Sequence, residues 1–135
     1  MIVDERIITF INTENSEILE TIEQEALAAD VPIIRREMQS FLEVLLLMKK
    51  PMRVLEVGTA VGFSALLMSE YVPEECAITT IENYEKRIPI ARQNFVRAGK
   101  EKKITLLEGD AMDVLKTLEG PYDFIFMDAA KGQYI

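Results

Sequence analysis

The chain has 135 residues, enough for one domain with a real core and no more. Apolar residues make up 49% and charged residues 28%, and the net charge of −8 disfavours nonspecific nucleic-acid binding, which runs on phosphate neutralisation by Lys and Arg. There is no histidine, so the commonest general base and transition-metal ligand is missing, and the single cysteine, Cys76, has no partner for an internal disulfide.

The first fifty or so residues read as helical. Ile18, Leu19, Ile22, Ala26 and Ala29 recur at helix spacing behind Asn15 and Ser16, either of which is a candidate cap. Asp30-Val31-Pro32 breaks that pattern. A second stripe of Ile34, Met38, Phe41, Leu42 and Leu45 runs to Lys49-Lys50, cations suited to a helix C-terminus, and Pro51 closes it. Its Met and Leu positions are expected in the core.

From Met52 the rhythm changes. Short apolar runs at 53–57, 77–81, 103–107 and 122–127 are expected strands, and helices are expected between them at 64–71, up to Ala98 with Gly99 at the stop, and at 111–118. Pro89 belongs in the first turn of the middle helix, with Asn83 and Tyr84 in the loop before it. Alternating strands and helices imply an α/β fold: a Rossmann-like, doubly wound parallel sheet. Residues 1–51 are expected as a helical segment packed on a core formed by 52–135. No apolar run approaches the roughly 18 residues of a membrane span, and MIVDERIITF lacks a basic stretch followed by an apolar one. A cytoplasmic location and no membrane partner are the expectation. The basic clusters Lys49, Lys50, Arg53 and Lys100, Lys102, Lys103 read as solvated helix ends and loops.

In such sheets ligands bind beyond the carboxyl ends of the strands. Those ends carry Glu56 with the loop GTAVGFS, Glu82-Asn83, Glu108-Gly109-Asp110-Ala111, and Asp128-Ala129-Ala130-Lys131. One acidic residue there is an ordinary helix cap, but four on one edge point to a binding site. Gly58 and Gly62 allow close backbone approach, at a G-x-x-x-G spacing that does not match the pyrophosphate-binding G-x-G-x-x-G. Glu82 is placed for both hydroxyls of a ribose. Gly109, Asp110 and Ala111 offer a polar side chain and backbone amides to an adenine edge. Ribose and adenine without a diphosphate fit S-adenosylmethionine (SAM).

The runs VLEVGTAVGFSA, ITTIE, LLEGDA and FIFMDAAKGQY, at these spacings, resemble the cation-dependent O-methyltransferases. That family includes catechol and caffeoyl-CoA O-methyltransferases and bacterial tRNA 5-hydroxyuridine methyltransferases. The resemblance implies that Glu56, Gly58 and Ser64 surround the methionine part of SAM, with Ser64 at its carboxylate. It puts Glu82 on the ribose, Asp110 and Ala111 at the adenine, and Ile34 where the family closes over the cofactor. It makes Asp128 the ligand of Mg2+ or a similar divalent cation while facing SAM, and Lys131 the candidate base beside the acceptor oxygen. The implied acceptor is a small hydroxylated, catechol-like molecule or tRNA, and a homodimer is expected. Relatives are expected to continue for roughly another half of this length, holding the remaining strands and an Asp-Asn pair that completes the cation site. A C-terminally truncated chain that does not perform the transfer alone is therefore the expectation. The other readings are a noncatalytic SAM-binding or oligomerisation module and a nicotinamide-dependent oxidoreductase.

Overall fold

The computed structural model describes residues 15–127. Two helices, α1 (Glu17–Ala28) and α2 (Arg36–Lys49), precede an alternation of β1 (Arg53–Val57), α3 (Phe63–Tyr71), β2 (Ala77–Glu82), α4 (Ile88–Arg97), β3 (Ile104–Glu108), α5 (Ala111–Leu115) and β4 (Phe124–Met127). The strands form one parallel sheet in the order β3-β2-β1-β4. The four strands and the helices between them match the α/β reading. The helix expected at 111–118 ends at Leu115, because Thr117 and Leu118 turn back onto the carbonyls of Val114 and Leu115. Pro89 sits in the first turn of α4, where its missing N–H costs nothing.

Side-chain alternation divides the sheet into two unequal faces. Val54, Ile78, Ile104 and Leu106 join Leu19, Ile22, Leu42, Leu46, Phe63, Leu66, Met68 and Phe95 in the larger core, so α1–α4 lie on that side. On the other side Leu55, Val57 and Ile81 are covered by Val114 and Leu115 of α5 and by Leu118 and Tyr122. That cover stops short of β4, where Ile125 and Met127 stay exposed. The start of β4 is tied to β1 at the opposite end of the sheet: the Asp123 carboxylate accepts the N–H groups of Met52 and Arg53 at 2.9 and 2.8 Å. These amides hold the Asp123 carboxyl below its usual range. β4 begins at Phe124, two residues later than expected, so Tyr122 lies outside it, its ring under the Arg53 guanidinium at 4.6 Å.

The N-terminal helices correct two expectations. Ser16 stands at the N-cap position of α1, but its hydroxyl donates to Glu70 of α3 at 2.7 Å instead of capping. Asn15 does not cap either; its amide donates to Gln39 at 3.1 Å. On α2 the buried face is Gln39, Leu42, Glu43 and Leu46, whereas Met38, Phe41 and Met48 are exposed. Polar residues take the inner face because they have partners there. Gln39 donates to Glu23 at 2.9 Å and to the carbonyl of Ile34 at 2.8 Å. Among the described residues no helix is long and apolar enough to cross a membrane.

Glu43 is 3% exposed, and burial, reinforced by Glu70 and opposed by Arg36, pushes its carboxyl up to about 7. In the unfolded chain the same group ionises near 4.5. Folding therefore binds a proton between these values. Its contribution to stability is complete below pH 4.5 and is lost as the pH rises through about 7. The loss is on the order of 2 kcal/mol. Urea unfolding at about pH 5 and about pH 8 checks this. Stability of the unaltered chain falls across that interval, and Glu43→Gln flattens the fall; equal slopes would show that Glu43 is not its source.

Candidate binding site at the carboxyl edge

The carboxyl ends of β1, β2 and β3 meet around a cavity of about 230 Å³ lined by Val57, Gly58, Ile81, Glu82, Asn83, Gly109, Asp110, Ala111, Met112, Leu115 and Met127. Strand register brings them together: Val57 lies beside Ile81, and Glu82 beside Glu108. Across Gly58 lies a second, shallow hollow of about 10 Å³, lined by Pro32, Ile33, Ile34, Gly58, Thr59, Ala60, Val61, Phe63 and Ser64. The residues singled out in the sequence thus divide. Gly58, Glu82, Gly109, Asp110 and Ala111 line the main cavity, Ile34 and Ser64 line the hollow, and Gly58 belongs to both.

Glu82 is 9% exposed, and its charge is met by backbone amides. Oε1 accepts the N–H of Ala60 at 2.7 Å, and Oε2 accepts those of Asn83 and Tyr84 at 3.2 and 3.1 Å. Charge-assisted bonds of this kind fix the carboxylate before any ligand arrives. An oxygen with one donor still has a lone-pair site open. Asp110 caps α5, its Oδ1 accepting from Met112 and Asp113 at 3.0 and 3.3 Å. The structural role of Asp110 as a cap and its place on the cavity wall are compatible, because the cap uses one carboxylate oxygen.

Two of the acidic strand ends do not form a rim. Glu56 is fully buried and lines neither cavity nor hollow. It is one residue short of the strand end, so alternation turns it inward beneath the glycine loop. There it accepts the hydroxyls of Ser64 and of Thr80, the latter at 2.7 Å, and Thr80 shares a 2.6 Å bond with Thr59. The Ser64 hydroxyl proton accordingly goes to Glu56 and not into the hollow. Glu108 turns away and pairs with Arg92 at 2.7 Å. Asp128 and Lys131 lie outside the described residues. Among the described residues no group of three His, Cys, Asp or Glu could hold a metal ion.

The loop after β1 is held tightly. The N–H groups of Gly58 and Thr59 both reach the carbonyl of Ile81, at 2.9 and 3.1 Å, and that of Gly62 closes a turn onto Thr59. Gly62 has φ +93 and starts α3. A Cβ there would stand 2.7 Å from Cε1 of Phe95, a ring only 3% exposed. The sequence signalled Gly62 through its spacing from Gly58. It gave no sign of the supporting Thr59–Thr80 bond, or of Asn94, whose amide reaches the carbonyl of Val61 at 2.7 Å.

Two glycine substitutions separate strain from crowding. Gly62→Ala combines a left-handed backbone with a buried clash and is expected to cost about 3 kcal/mol. Gly99→Ala shares the positive φ but meets nothing within 4 Å, and is expected to cost only about 1 kcal/mol. Denaturant melts of both variants check the order; equal losses would remove Phe95 as the cause.

A family model described as O-methyltransferase matches residues 9–135. A catechol O-methyltransferase of Niastella koreensis is 34% identical over 98 residues, covering 70% of this chain and 44% of that protein. The solved O-methyltransferase of Bacillus cereus, in complex with S-adenosylhomocysteine (SAH), is similar with a TM-score of 0.78 at 27% identity, covering 91% of this chain and 59% of that one. TomG of Streptomyces achromogenes, an O-methyltransferase involved in tomaymycin synthesis and solved with SAM, has a TM-score of 0.80 at 25% identity, covering 99% and 66%. The chain spans less than half the length of the curated relative and under two thirds of each solved chain.

Proposed function

This chain belongs to the O-methyltransferase family, and on that footing we propose that the edge cavity binds SAM for O-methyl transfer to a small hydroxylated aromatic acceptor. The observation that carries the reading is Glu82: a buried carboxylate, fixed by three backbone amides, with acceptor capacity left on a cavity wall. A ribose diol is the ligand group such a carboxylate suits. Asp110 and Ala111 stand across the cavity for an adenine edge, and the apolar side chains of Met112, Leu115 and Met127 suit the faces of the ring. Gly58, lacking a side chain, lets a ligand pass from this cavity towards Ile34 and Ser64. Glu56 acts beneath this surface, fixing Ser64 and the loop that carries it.

Bound SAM supplies an electrophilic methyl on sulfur. The protein's share is to hold the acceptor oxygen in line with that bond, exclude water and remove a proton. The sequence run FMDAAKG supports Asp128 as ligand of a divalent cation and Lys131 as the base, and no cation contact is assigned to a described residue. The small aromatic acceptor is favoured by the relative named a catechol O-methyltransferase and by the net charge of −8. The expected homodimer stays within the proposal, supported by the exposed stripe of Met38, Phe41 and Met48 on α2. Sedimentation equilibrium returning the monomer mass would remove it.

Calorimetric titration of the chain with SAH and with NAD tests the cofactor. SAH is expected to bind and NAD not, and Glu82→Ala is expected to weaken SAH about tenfold or more; binding of NAD alone would overturn the reading. In a protein of the relatives' full length carrying this sequence, methyl transfer to a catechol is expected to stop on chelation with EDTA, return with Mg2+, and be absent in Asp128→Ala. Transfer untouched by EDTA would remove the cation, and transfer to hydroxyuridine tRNA but not to catechol would replace the acceptor.

A further inference from the structure

The glycine loop holds a conformation that its own sequence does not favour. Ala60 has φ +50, a left-handed backbone that costs a non-glycine residue roughly 1–2 kcal/mol. Such a conformation persists only where the surroundings over-determine it. One anchor is Glu82, which fixes the 59–60 peptide through the N–H of Ala60. The other comes from the opposite side. Asn94, 4% exposed on α4, donates from Nδ2 to the carbonyl of Val61 at 2.7 Å and so fixes the 61–62 peptide. The strained residue and the peptide that follows it therefore lie between two anchored planes, on the stretch that walls the hollow beside Ile34 and Ser64.

Asn94 is itself held. Its Oδ1 accepts from Nη2 of Arg97 at 2.7 Å, and the same nitrogen reaches Glu25 of α1 at 2.6 Å. Because guanidinium can only donate, Oδ1 is turned to Arg97 and the NH2 group is left for Val61. The next residue, Phe95, packs where a Cβ on Gly62 would lie. Consecutive residues of α4 thus grip consecutive residues of the loop.

We propose that Asn94 is a positioning residue for the cofactor loop, oriented by the Arg97–Glu25 pair. It holds the 61–62 peptide so that Ala60, Val61 and Ser64 present a preformed wall to the methionine part of the ligand. The inference rests on the functional reading above. Preorganisation of this kind raises affinity by removing the ordering cost from binding.

Asn94→Asp is the informative substitution. It keeps the shape and the acceptor for Arg97, but sets a carboxylate oxygen against the carbonyl of Val61 in place of a donor. SAH titration at about pH 8 is expected to show affinity lowered about tenfold relative to the unaltered chain. As the pH falls towards about 4, the introduced carboxyl, which Arg97 holds down but burial and the facing carbonyl of Val61 push up, regains a proton to donate, and the gap narrows. Arg97→Ala removes the group that orients Asn94 but leaves its donor, and is expected to lower affinity by the smaller factor of about threefold. A loss of packing alone would lower thermal stability without this pH-dependent ratio. Should Asn94→Asp fail to fold, as read by near-UV circular dichroism, Asn94→Ala takes its place, with the same loss of affinity and no pH dependence. Affinity within about twofold of the unaltered chain in the folded variant overturns the inference, as does a pH-independent gap for Asn94→Asp. Failure of the unaltered chain to bind SAH would defeat the functional reading instead.

Discussion

The carboxylate of Glu82 is the tie on which the edge of this sheet depends. A charge that is 9% exposed must be compensated, and three backbone N–H groups, from Ala60, Asn83 and Tyr84, compensate it. One of these belongs to the loop after β1 and two to the loop after β2. The backbone of the same residue accepts from Gly109 at 3.0 Å, which brings in the end of β3. Three strand ends therefore converge on one residue, and the cavity is the space they leave between them.

Beneath that surface the polar groups form a closed set. Glu56 receives Ser64 and Thr80, Thr80 meets Thr59, and Asn94 joins Val61 to Arg97. Among the described residues no buried side-chain nitrogen or oxygen lacks a partner. A fully satisfied network is rigid, whereas a half-satisfied one would weaken the fold. The division of labour follows. Groups on the cavity wall line the open space, and groups below them keep a strained loop in one conformation. The two sheet faces serve the same end, since the thick helical face anchors α3 and α4 behind the loop and the thin face leaves the cavity open.

Much of this was legible in the sequence. Short apolar runs ending in acid and glycine located all four strands, and the same ends identified Gly58, Glu82, Gly109, Asp110 and Ala111 as neighbours in space. The failures share one cause: sequence gives a residue's type, but its neighbours decide which way it faces. Glu56 looked like rim because it stands near a strand end, yet being one residue short of it turned the side chain inward. On α2 the apolar stripe through Met38 and Phe41 looked like core, but Gln39 and Glu43 hold the inner face. Gln39 can do so because Asn15, Glu23 and the carbonyl of Ile34 are waiting for it. Asn94 carried no signal at all, because its partner is a main-chain carbonyl 33 residues away.

We read this cavity as an adenosyl site built around Glu82. A crystal structure of the chain soaked with SAH tests it most directly. Ribose hydroxyls are expected within hydrogen-bond reach of Glu82, the adenine between Asp110 and Met112, and the amino-acid end beyond Gly58. Density elsewhere on the molecule, with Glu82 touching only its own backbone partners, would contradict it.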